Sequence, residues 1–82
     1  RDVAVIGTDH GADVHPSGMD NERHPLHILL LVAMGMPIFD NVDLEALSHV
    51  TTERQQWEFL LTVAPSPVPG GTGSPLNPLA IF

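Results

Sequence analysis

His24-Pro25-Leu26-His27-Ile28-Leu29-Leu30-Leu31-Val32-Ala33-Met34-Gly35-Met36-Pro37-Ile38-Phe39-Asp40-Asn41 is the stretch that decides the fold. Pro25 stands where a helix takes its first residue, because the N–H it lacks would have no partner there. His24 then falls at the cap position and His27 in the first turn. Leu26 to Met34 form the body of the helix, and Gly35 supplies the stop. The helix is apolar nearly all round, which predicts cover on more than one side. Met36 to Phe39 follows as a strand, with Pro37 placing it at an edge or at a strand start.

Before this stretch, Val3 to Ile6 is a short β-branched run closed by Gly7-Thr8 and predicts a buried strand. Thr8 to Arg23 is a polar loop broken by Gly11, Pro16 and Gly18. After it, Asn41 is read as the cap of a short helix with Asp43 and Glu45 in its first turn, running to about Ser48. Val50 to Gln56 reads as a polar connection and Trp57 to Val63 as a third strand. Pro65 to Pro78 is a Pro/Gly-rich loop, and Leu79 to Phe82 a last strand. The order strand–helix–strand–helix–strand–strand predicts an α/β fold.

If Val3–Ile6 and Met36–Phe39 pair in parallel through a right-handed crossover, three segments meet at one sheet edge. These are Thr8-Asp9-His10, the helix start with His24 and His27, and Asp40-Asn41. An imidazole and a carboxylate brought together there suit a metal or a substrate. The positive end of the helix is expected to keep the His27 ring neutral, as a ligand must be. Each residue also has a plainer reading. His24 reads first as a cap and second as a ligand. His27 with Asp40 is balanced between a ligand pair and a structural one, and Asn41 and Asp43 can simply cap the next helix. Asp9, His10, Asp13, His15 and Asp20 read as solvated loop residues, and His49 as surface.

The chain has 82 residues and a formal net charge of -7, with three arginines and no lysine. A nucleic-acid groove needs a basic stripe to release counterions, so DNA and RNA binding are excluded. An anionic membrane surface is disfavoured for the same reason. The longest apolar run is far below the roughly 18–20 residues that span a bilayer. There is no cysteine, hence no disulfide and no thiolate zinc site, which fits a reducing, cytoplasmic setting. Gly70-Gly71-Thr72-Gly73-Ser74 lacks the lysine and the helix start of a phosphate loop. It reads as a rigid turn that can line a pocket, with Thr72 and Ser74 as candidates beside His24 and Asp9. Ser74 does not match a nucleophile elbow.

Several of these segments together resemble the C-terminal portion of the cyclase family, metal-dependent hydrolases that include bacterial kynurenine formamidase (arylformamidase). They are Val3 to Asp9, His24-Pro25-Leu26-His27, Gly35 to Asn41, Asp43 to Leu47, and Trp57 to Phe82 with its Gly-Gly-Thr-Gly-Ser-Pro-Leu-Asn-Pro. The resemblance covers nearly the whole chain. It implies the C-terminal part of a single swivelling β/β/α domain, a mixed sheet with two helices, incomplete on its own. It also implies hydrolysis of a small-molecule amide or ester, of the N-formylkynurenine C–N type, with zinc or manganese. The family's signature, His-x-Gly-Thr-His-x-Asp-x-Pro-x-His, would lie N-terminal to this region and supply most of the metal ligands. By position, His27 matches a later metal-binding histidine. Asp40 stands where the formamidases carry a glutamate, one methylene longer. The full-length protein is then expected to be a homo-oligomeric enzyme, and these 82 residues alone inactive. The competing expectation is a non-catalytic α/β domain whose Pro/Gly loop and apolar helix serve an interaction.

Overall fold

The computed structural model describes residues 2–82 and shows a small mixed α/β fold of two helices and two small sheets. The chain divides into two compact units, one ending at Leu44 and the other spanning Glu45–Phe82.

In the first unit, β1 (Ile6–Gly7) pairs in parallel with β2 (Ile38–Phe39), Ile6 opposite Ile38 and Gly7 opposite Phe39. The parallel pairing is the expected one, but β1 shares only Ile6 with the predicted buried strand, and neither β1 nor Val3 is buried. The Ile6 N–H reaches the Pro37 carbonyl at 3.3 Å, and the Thr8 N–H reaches that of Phe39 at 2.9 Å. Pro37 is therefore used only as an acceptor, which its missing N–H permits.

Helix α1 joins the two strands. It starts as an α-helix at Pro25–His27 and widens directly into π-helical turns at Ile28–Ala33. The Met34 N–H bonds the Leu29 carbonyl, five residues back, at 3.0 Å. Gly35 then turns left-handed (φ +63°), and the Met36 N–H returns to the Leu30 carbonyl at 2.7 Å. That bond reaches back six residues, one more than the 6→1 bond of a Schellman ending, as the wider π-helical turns require, and with the left-handed glycine it satisfies a carbonyl left over at the helix end. The core of this unit is small: Ala12, Leu30 and Met36 are its buried apolar residues. Leu26, Ile28, Leu29, Leu31, Val32 and Met34 stay exposed. The cover predicted for an all-apolar helix is not supplied by the described residues.

The second unit holds α2 (Glu45–Arg54) and an antiparallel pair, β3 (Leu60–Thr62) with β4 (Leu79–Ile81). Among the described residues the strands thus pair as two separate sheets and not as one mixed sheet. Helix α2 begins later and runs longer than the sequence reading. Asn41 is not its cap: it adopts φ +56° and donates its N–H to the His10 carbonyl at 3.2 Å. The supposed polar connection after Val50 is the helix's second half. Thr51, buried, turns its hydroxyl back to the Leu47 and Ser48 carbonyls at 2.9 and 3.0 Å. Gln55, left-handed at φ +53°, follows the last turn. Trp57 lies outside β3 and is exposed. The Phe82 ring takes Phe59 at 5.4 Å between centroids and the Arg54 guanidinium at 5.6 Å.

The loop between β3 and β4 contains a tight turn at Val68-Pro69-Gly70-Gly71. The Gly71 N–H bonds the Val68 carbonyl at 3.0 Å, with Gly70 at φ +73°. Proline followed by a left-handed glycine is the sequence a type II turn needs.

Candidate metal centre

The site lies within the first unit, where three segments are tied together. The Asn41 N–H bonds the His10 carbonyl, and the Val42 N–H bonds that of Thr8 at 2.9 Å. The stretch after β2 is thereby fixed beside the loop after β1, as the parallel arrangement predicts. From it Asp40 reaches the first turn of α1: its Oδ2 accepts from His27 Nε2 at 2.8 Å. Asp40 Oδ1 accepts the Ala12 N–H at 2.8 Å, which sets the carboxylate's orientation.

The opposite edge of the His27 ring meets a residue that the sequence reading placed in solvent. Asp13 is buried, with its side chain only 2% exposed. Its Oδ1 accepts the Leu26 N–H at 2.7 Å. Its Oδ2 accepts both the His27 N–H at 3.2 Å and His27 Nδ1 at 2.5 Å. His24, at the cap position, makes no side-chain bond to the helix. Asp13 therefore does the work of an N-cap from eleven positions upstream, satisfying N–H groups that the first helical turn leaves over. One sequence signal pointed to it. A helix opening on His-Pro has no Ser, Thr, Asp or Asn to close it, so an acceptor had to come from elsewhere.

His27 is thus clasped between two carboxylates, one on each ring nitrogen. Two carboxylates can both accept only if both nitrogens carry protons. The hydrogen bonds to Asp13 and Asp40 accordingly raise the His27 pKa, against a smaller opposing effect of desolvation. The paired carboxylates thus favour the charged ring, opposite in direction to the effect expected of the helix start. For Asp13, burial alone would raise the pKa. The Leu26 N–H, the His27 ring and the His27 N–H outweigh it and hold the carboxyl below its ordinary value.

His24 stands next to this pair. Its Nδ1 is 3.7 Å from Asp13 Oδ2, beyond a hydrogen bond, and its ring meets His27 edge to face at 5.9 Å and 77°. His15 packs on the other side of His24 at 5.1 Å. These rings, with His10, Asp13 and Asp40, line a cleft of about 870 Å³. Asp13, His24 and His27 each offer one ligand atom, all within 4.8 Å of one another, and could hold a metal ion. Imidazole nitrogen with carboxylate oxygen is the donor set that zinc and manganese accept.

The other sequence candidates fall elsewhere. Asp9 is exposed and faces His10 at 3.9 Å, outside the cleft lining. Thr72 and Ser74 belong to the second unit, where the Ser74 hydroxyl accepts the Ser66 N–H at 3.0 Å and braces the Pro/Gly loop. His49 is exposed, as expected. Among the described residues, no helix is long and apolar enough to cross a membrane. No protein-family model, no curated protein and no solved structure matches the chain.

Proposed function

We propose that this chain is the C-terminal part of a cyclase-family, swivelling-domain hydrolase that cleaves a small-molecule amide or ester, arylformamidase-like, with a divalent zinc or manganese ion. The observation that carries the reading is His27, held between Asp13 and Asp40 at the wall of a cleft. Its volume lies within the roughly 300–1,000 Å³ of small-molecule sites. The resemblance of the His24–Asn41 block supplies the reaction class.

His27 and Asp40 are the residues that hold the ion from this half of the protein. Asp40 is the better ligand of the two carboxylates. Its side chain is 29% exposed, against 2% for Asp13, and one of its oxygens faces only the ring nitrogen that a ligand would take. A divalent ion at this place supplies Lewis acidity toward a carbonyl and lowers the pKa of water. The chain's own part is positional. Ala12 aims Asp40, Asp13 aims His27, and His24 borders the cleft where a substrate would lie. One histidine and one aspartate fall short of the three or four ligands of a zinc site, so the remainder would come from N-terminal sequence.

The test is elemental analysis and formamide hydrolysis on the full-length protein and its His27→Ala variant. At least one tightly held divalent ion per chain, lowered together with activity by His27→Ala, is the expected result. Metal content unchanged by the substitution rejects His27 as a ligand.

A second reading, a non-catalytic interaction domain, draws on the exposed apolar side chains of α1. It predicts a full-length protein without bound metal or hydrolytic activity.

A further inference from the structure

We propose that Asp13 is a positioning residue: its buried carboxylate holds the proton of His27 Nδ1, so that Nε2 is the nitrogen that gives up its proton and is offered to an ion in the cleft. The inference rests on the reading of His27 as a metal ligand and assigns a role to a residue outside the ligand set.

An imidazole presents two nitrogens on opposite edges, and only one can serve a ligand while the other is anchored. Metal-binding histidines commonly donate the second N–H to a carboxylate, which fixes both tautomer and ring plane. Asp13 is placed to do this. Its contact with Nδ1, at 2.5 Å, is the shortest of its three bonds to α1. A cap alone would need only the main-chain N–H bonds. Burying a carboxylate is costly unless it is fully hydrogen-bonded, and here the ring completes the set. The edge-to-face contact with His24 and the backbone bond from the His27 N–H leave the ring little freedom to flip. With Nδ1 anchored, Nε2 faces Asp40, the carboxylate that the Ala12 N–H holds in place.

Asp13→Asn keeps the oxygen that caps the Leu26 N–H and replaces the one that accepts from the His27 N–H and ring Nδ1. Asparagine caps helices about as well as aspartate, so the Leu26 bond survives. The amide cannot accept the Nδ1 proton as the carboxylate does. Zn²⁺ affinity of the full-length protein would be measured by competition with a chromophoric chelator, beside thermal melting. A positioning role predicts a folded variant, melting within a few degrees of the parent, with Zn²⁺ affinity reduced about 10- to 100-fold. Unchanged affinity in a folded variant overturns the proposal and leaves Asp13 a cap.

A second measurement needs no variant. The ring ¹⁵N shifts of His27 in the parent protein, at a pH where the ring is neutral, should show the proton on Nδ1. A proton on Nε2 overturns the proposal even if Asp13→Asn does not fold. If the parent binds no Zn²⁺, the metal reading fails on its own, while the ring spectrum still decides what Asp13 does.

Discussion

Asp13 and His27 are joined twice, once through the main-chain N–H and once through the ring Nδ1, to the same carboxylate oxygen. A single acceptor therefore both starts the helix and orients the side chain that the helix presents.

This coupling sets the pH response of the metal-free protein. His27's pKa is raised above its ordinary 6.5, so its contribution is complete below that value and is lost as pH rises through the higher folded value. Asp13's is lowered below 3.8, so its contribution is present above that value and is lost as pH falls through the lower folded one. Stability should peak between 3.8 and 6.5 and decline on the alkaline side. Melting temperatures followed across this range and up to about pH 9 test it. His27→Gln should flatten the alkaline decline, and an unchanged slope in that variant contradicts the assignment.

On the proposed reading, Asp40→Glu should keep or tighten metal binding in the full-length protein, since it adds the methylene by which the formamidases' glutamate is longer. Elemental analysis reads the result. A variant that cannot fold would instead make the Asp40 bond to the Ala12 N–H its essential role.

Leu30 and Val32 sit two residues apart on α1 with opposite surroundings, 5% and 79% exposed. Leu30→Ala should cost about 2–3 kcal/mol, from lost burial and the cavity left behind. Val32→Ala should stay within about 0.5 kcal/mol. Denaturant unfolding of the parent protein and the two variants compares them. Equal losses would show that the Val32 face is covered.

Gly35→Ala should lose about 1–2 kcal/mol through the backbone alone, because φ is +63° and a Cβ there would meet nothing within 4 Å. Gly35→Asn should recover part of the loss, since asparagine tolerates the left-handed region better. If Gly35→Ala melts like the parent, the left-handed ending is not what closes α1.

Much of the first unit was legible in the chain. Pro25 and Gly35 bracket an apolar run, and Met36 to Phe39 returns as a strand parallel to the first, because these signals are local. Helix α2 was misjudged because Val50, Thr51 and Thr52 are β-branched and lower helix propensity. What offsets this at Thr51 is a buried hydroxyl bonded back to the preceding turn, which no composition count shows. Asp13 was hidden for a different reason. Its partners lie 13 and 14 residues away across an irregular loop, and nothing periodic links such positions.

The closure of α1 at both ends by distant or left-handed residues gives the helix and the cleft a common thermodynamic fate. Fraying of its first turn would release His27 from Asp13 and, on the metal-site reading proposed above, dismantle the ligand set in the same event. By linkage, anything that binds the assembled set stabilises that turn, and anything that tightens the turn raises affinity to the extent that fraying had lowered it. Substitutions at Gly35, far along the helix from the imidazole, are then able to tune occupancy of the cleft without touching any residue that lines it.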